Sequence, residues 1–140
     1  MTPKRDPIYE KELIHTIDKV RQNLDKKSQK DSFDLDDYYA CERMLQILIE
    51  TLIGLARYTL KISFQSSCSK SSEAFDELFA RGIFNEEDLQ EIKKIVGYRN
   101  ILVHDYLNTN PMVTYRLVKA QQYHRIQDLQ KKLFSTLNLI

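Results

Sequence analysis

Residues 85–106 read NEEDLQEIKKIVGYRNILVHDY, and their reading decides the fold. Leu89, Ile92, Val96 and Val103 recur at steps of three, four and seven, which draws an apolar stripe along one side of a helix. Asn85, with Asp88 three residues on, supplies N-cap chemistry, and Glu86 and Glu87 favour the positive end of the helix dipole. This helix is expected to stop near Leu107. Arg99 falls on the apolar stripe. A guanidinium stays charged at any accessible pH and is rarely buried alone, so its place calls for an anionic neighbour or an anionic ligand.

His104 comes five residues later, about 140° around the axis from Arg99, so the two do not stack on one face of a straight helix. Asn100 and His104 are four apart and do share a face, with Gly97 close to the same line. A glycine inside a helix costs about 1 kcal/mol relative to alanine, and one reason to keep it is the close approach of another backbone. The face of Gly97, Asn100 and His104 is therefore expected to pack near a second helix. If that helix belongs to the mate in a two-fold homodimer, two copies of Arg99 and His104 converge on one cleft. Spacing alone leaves a plainer reading open, in which Arg99 pairs with a core carboxylate such as Glu50 and His104 caps carbonyls near the helix end.

Outward from this segment the same periodicity continues. Pro7 opens a first helix from about Ile8 to Lys30, with Leu13, Ile17, Val20 and Leu24 on its apolar side. Asp34 caps a long second helix to about Lys61, apolar around most of its circumference between Met44 and Leu60 and so expected at the centre. Ser63 to Ser72 is a polar loop. A short helix runs from Ser71 or Ser72 to about Arg81, and Gly82 stands where a left-handed residue closes it. After the break at Asn108 to Pro111, Tyr115 to Leu137 reads as one final helix. No strand alternation or internal repeat interrupts the pattern. The expected fold is all-α: an antiparallel bundle of four main helices plus one short helix, with residues 1–140 as a single domain.

Composition narrows the function. The 140 residues, 42% of them hydrophobic and 29% charged, suffice for one core without disulfides or metals. A net charge of +1 gives no global attraction to nucleic acid, so any RNA must be held by a local patch. The segment after Pro111 is locally basic, with Arg116, Lys119, Arg125, Lys131 and Lys132, but these scatter around a helical wheel. Cys41 and Cys68 lack metal-binding spacing and fit reduced thiols. His15 and His124 have no partner histidine at i+3 or i+4, so no metal site is expected. The Asp36, Asp37 pair suits a helix start. No Gly-rich phosphate loop occurs, and no cofactor is expected. The N-terminus lacks a signal-peptide core, and the apolar run Ile47 to Ala56 is too short to span a membrane; the chain is expected to be cytoplasmic.

Arg99, Asn100, His104 and Tyr106 meet a pattern of Arg, a polar residue, three further positions, His, any residue and Tyr. With ERMLQILIETLIGLA from Glu42 to Ala56, and the stretch from Ser71 to Asn100, the chain resembles the HEPN superfamily, and within it the HepT-type toxins encoded beside a minimal nucleotidyltransferase (MNT) antitoxin. The likeness runs from about Ile8 to Leu137. It places Arg43 and Glu50 at the family's polar positions on the second helix, as a structural polar pair.

The resemblance implies a metal-independent endoribonuclease, and the residue types suit that reaction. Cleavage of RNA without metal can use the adjacent 2′-hydroxyl as nucleophile. Imidazole, with an ordinary pKa of about 6.5, both accepts and donates protons near neutrality, which gives His104 that part. Arg99 clamps the scissile phosphate through two parallel hydrogen bonds, and Asn100 orients the imidazole or the phosphate. By local physics Tyr106 is an amphipathic packing residue. The resemblance makes it the target of AMP transfer from the MNT partner, which would set a charged phosphodiester and a nucleoside against the cleft. The competing reading is a non-catalytic helical dimer that binds a nucleotidyltransferase, with Arg99 and His104 kept as a structural pair.

Overall fold

A computed structural model describes residues 3–139 of the chain. Among the described residues there are six α-helices, a 3-10 turn and no strand. The helices are α1 (Pro7–Ser28), α2 (Leu35–Phe64), α3 (Ser71–Ala80), α4 (Glu86–His104), α5 (Pro111–Lys119) and α6 (His124–Thr136), with the 3-10 turn at Tyr106–Asn108 between α4 and α5.

Local chemistry sets most of these boundaries. Asp6 caps α1 by accepting from the Tyr9 N–H at 3.0 Å, and Pro7 sits where a missing N–H costs nothing. At the start of α2, Asp34 and Asp37 form a reciprocal capping box, Asp34 accepting from the Asp37 N–H at 2.8 Å and Asp37 from the Asp34 N–H at 2.9 Å. Asp37 is only 2% exposed and also accepts from Lys27 and Lys30, at 2.6 and 2.7 Å. Those two lysines hold its carboxyl well below the usual carboxylate range and tie the end of α1 to the start of α2. Gly82 closes the turn after α3 at φ 81°, a backbone that L side chains rarely adopt.

The core is built on α2, which packs against all five other helices. Its side chains Cys41, Leu48, Leu52, Leu55, Ala56 and Leu60 are fully buried. The apolar side of α1 meets it through Leu13, Ile17, Val20 and Leu24, as the four- and three-residue steps require. At the far end of α1, Glu10 accepts from Arg5 and from the Tyr58 hydroxyl, which fixes the antiparallel register of α1 on α2.

One expectation fails. The single final helix from Tyr115 to Leu137 is two helices, so the bundle has six α-helices and not four main ones plus a short one. Pro111 begins α5 instead of ending a loop, because Asn110 accepts from the Met112 N–H at 3.0 Å and supplies the cap. The break lies at Ala120 to Tyr123, where Gln121 is left-handed at φ 53° although no glycine or proline stands there. Tertiary contacts to α1 offset that strain. The Tyr123 hydroxyl and His124 Nε2 both meet the Asp25 carboxylate, His124 at 2.8 Å, and Gln121 donates to the Ser28 hydroxyl at 3.2 Å.

Candidate active site

The motif helix α4 is held firmly at its start. Asn85 and Asp88 complete a capping box, Lys132 of α6 pairs with Asp88, and Leu89 and Ile92 are buried. The helix packs chiefly on α2 and α3, and its side chains also reach the later helices. Tyr98 is the last of these ties, its hydroxyl 2.7 Å from Thr114 Oγ1 of α5. Burial pushes the Tyr98 phenol up to about 12, which keeps it neutral in its packing role.

Beyond Tyr98 the helix opens to solvent on one side, while Arg99 and Leu102 stay half-buried. Ile101 is 43% exposed and Val103 37%, so Val103 does not continue the buried stripe as its spacing suggests. The helix ends at His104, short of Leu107, because Asp105 at φ −141° leaves the helical conformation. Asn108 and Thr109 then close the 3-10 turn on Asp105 and Tyr106. Tyr106 therefore sits in that turn, with 69% of its surface open, one residue beyond the cap.

Each motif residue has a distinct setting. Arg99 is half-buried, and its Nε is shielded from solvent with no hydrogen-bond partner. Among the described residues no carboxylate pairs with it; Glu50 is exposed and accepts instead from Gln46 at 3.1 Å, so the plain core-pair reading is not realised. Arg43 and Glu50 are both exposed on α2 and form no ion pair with each other, because seven residues of helix separate them by about 10.5 Å along the axis. Asn100 and His104 are exposed one turn apart, and Gly97 lies on the same open face. A Cβ at Gly97 would meet nothing within 4 Å, so no helix of this chain packs there.

A single copy therefore presents a guanidinium with an unsatisfied buried donor and, roughly 7.5 Å further along the axis, an open imidazole pointing another way. Leaving a charged donor unsatisfied costs a buried group its full desolvation, about 1–3 kcal/mol or more, and an anion is its natural complement. Among the described residues, no group of three or more His, Cys, Asp or Glu side chains is arranged to hold a metal ion. His124, weighed by sequence only as a metal ligand, is the partner of Asp25 instead. That contact joins residues 99 apart, and no local signal marks it.

A family model described as ribonuclease HepT-like matches residues 12–133. The chain belongs to this HepT-like family. A relative named tRNA nuclease HepT, from Aphanizomenon flos-aquae (strain 2012/KM1/D3), is 27% identical over 121 residues, covering 79% of this chain and 82% of that protein. YutE of Bacillus subtilis (strain 168) is 29% identical over 98 residues, covering 70% and 67%. The structure of YutE, described as a cytosolic protein, superposes with a TM-score of 0.73 at 22% identity over 93% of this chain and 91% of that one. A tri-AMPylated Shewanella oneidensis HEPN toxin, solved in complex with an MNT antitoxin, superposes at 0.80 with 20% identity over 94% and 99%. At these identities the superpositions establish the HepT-like fold. No helix among the described residues is long and apolar enough to cross a membrane.

Proposed function

We propose that this HepT-like chain is a metal-independent endoribonuclease toxin whose site is completed by two copies of α4. The observation that carries the reading is the buried, unpartnered Nε of Arg99 on the same helix end as an open His104. The exposed apolar side chains around it, Ile101, Val103, Leu107, Met112 and Val113, are the surface on which a second copy would associate. Two-fold pairing there brings two guanidiniums and two imidazoles to one groove.

In that groove Arg99 holds the scissile phosphate. One imidazole takes the proton of the neighbouring 2′-hydroxyl, whose oxygen attacks phosphorus. The bond to the 5′-oxygen breaks, and that oxygen leaves with a proton from an imidazolium, so the products are a 2′,3′-cyclic phosphate and a 5′-hydroxyl. Charge on the phosphorane oxygens grows as the reaction proceeds, and the guanidinium grips it more tightly then than in the ground state. Asn100, one turn before His104, orients the ring or the phosphate.

Tyr106 is the acceptor for AMP from an MNT-type antitoxin in this reading. Its open position in the turn after His104 supports that role, and the AMPylated state of the Shewanella toxin gives the precedent. An attached nucleotide would compete with the RNA phosphate for Arg99. The relative named as a tRNA nuclease makes tRNA the first substrate to test, and the cytosolic description of YutE supports the cytoplasm as the place of action.

Expression of the chain alone, beside His104→Ala, tests the reaction through growth and RNA integrity. Arrest with cleaved RNA in the first case only is expected. Equal arrest by both would remove the imidazole from the mechanism and favour a non-catalytic dimer that binds a nucleotidyltransferase. Light scattering should give twice the monomer mass, and incubation with the antitoxin and ATP should add AMP at Tyr106 by mass spectrometry.

A further inference from the structure

Between α3 and α4 runs a groove of about 260 Å³ that opens beside Asn100. Its floor is apolar, with Phe75 and Ile92 at 2% exposure each and Val96 half-buried. Its rim is polar: Asp76 on α3, and Lys93 and Asn100 on α4, all exposed. Gly97 lies in the wall between Lys93 and Asn100, and a Cβ there would meet nothing within 4 Å. The cost of a helical glycine, about 1 kcal/mol, is thus not offset by any close approach within the chain. The missing side chain leaves bare backbone in the groove wall beside the motif face.

We infer that this groove takes a nucleobase of the RNA substrate, with Asp76 reading its edge and Lys93 meeting the adjoining phosphate. The inference rests on the ribonuclease reading and adds a specificity determinant to it. Size fits: an engineered apolar cavity of about 150 Å³ holds benzene, so this groove has room for a heterocycle. The chemistry fits as well. A base has apolar faces for the Phe75, Ile92 and Val96 floor, and a carboxylate accepts from the exocyclic amine that cytosine and adenine carry and uracil lacks. Lys93 supplies the positive charge that a polynucleotide needs and that a net charge of +1 does not provide globally. A helix from a second copy suits the groove less well, because its rim is charged and exposed apolar side chains lie further along, at Ile101, Val103 and Leu107. The groove centre at Val96 lies roughly 12 Å along the axis from His104, which places the base beside the scissile position and not on it.

The test uses full-length protein and tetranucleotides of A, C, G and U with 2′-O-methyl groups throughout. Lacking a nucleophile, they bind without being cut. Calorimetry should give tighter binding of the C and A tetranucleotides than of U by about tenfold, the scale of one side chain reading one base edge. Asp76→Ala should erase that difference, whereas Lys93→Ala should weaken all four alike, about threefold or more, as loss of a phosphate contact does. Both residues are exposed, so the fold survives either change. Absence of binding, or a base preference that persists in Asp76→Ala, overturns the inference. So does conversion of a dimer to a monomer by either substitution, which would assign the groove to a second copy. Unmodified tetranucleotides run in parallel separate the two claims: binding without cleavage sinks the ribonuclease reading alone, and cleavage indifferent to Asp76 sinks the groove alone.

Discussion

The two halves of α4 share one helix and almost nothing else. From Asn85 to Tyr98 it is capped, ion-paired to α6, packed on α2 and hydrogen-bonded to α5. From Arg99 to His104 it has no such tie, carries open apolar side chains, and holds the residues of the motif. The first half is fixed by its own chain, and the second is a helical extension offered to something else. A helix continuous across both keeps the motif geometry defined while leaving Arg99 Nε unpartnered and Asn100 and His104 open, which suits a site completed by a ligand or a second subunit.

The largest effect that would break this contrast lies in the free half. His104→Ala should lower the RNA cleavage rate by about 10²- to 10⁴-fold with an unchanged melting temperature, measured on the same preparation. A melting point that fell with the activity would make the free half structural. Arg99→Lys keeps the charge but loses the planar fork, and cleavage should again drop steeply without loss of fold. In the anchored half the signs reverse. Ile92→Ala should cost about 2–5 kcal/mol by denaturant unfolding, since it empties a site that is 2% exposed. Asn85→Ala removes the cap and should cost about 1 kcal/mol, with cleavage per folded molecule retained.

Acid provides a finer measure of what the capped ends contribute. The Asp37 carboxyl is depressed by Lys27 first, then by Lys30 and the Asp34 N–H. A carboxylate whose folded pKa lies below its unfolded value, about 3.9, stabilises fully above that value and loses its contribution as pH falls through the folded pKa. Unfolding followed from pH 7 downward should therefore show stability declining below about pH 4, and Asp37→Asn should flatten that decline. An unaltered acid profile would show that Asp37 does not couple α1 to α2.

Sequence was informative wherever structure is local. The caps at Asp34 and Asn85, the left-handed Gly82 and the apolar sides of α1 and α2 follow from spacings of three and four residues, and the structure has each of them. The split between α5 and α6 was not legible, because Ala120, Gln121 and Gln122 are tolerable helix formers. Asp25, about a hundred positions earlier, draws Tyr123 and His124 out of line. The Asp37 cluster was half visible: its dipole role can be read from position, but its two lysine partners cannot. The exposure of Val103 is not legible for a related reason, since periodicity says which side of a helix is apolar and not how far its neighbours extend.

By itself the sequence determined that helices form, where most begin, and that Arg99, Asn100, His104 and Tyr106 occupy neighbouring turns at one helix end. Those facts depend on backbone periodicity and short-range hydrogen bonding, which a run of about twenty residues contains. Only the tertiary structure decided that Arg99 Nε is shielded without a partner, that one side of α4 opens to solvent beyond Tyr98, and that a groove opens beside Asn100. Burial and groove shape depend on which distant helix stops where, and chain length between α1 and α6 puts that beyond any local rule.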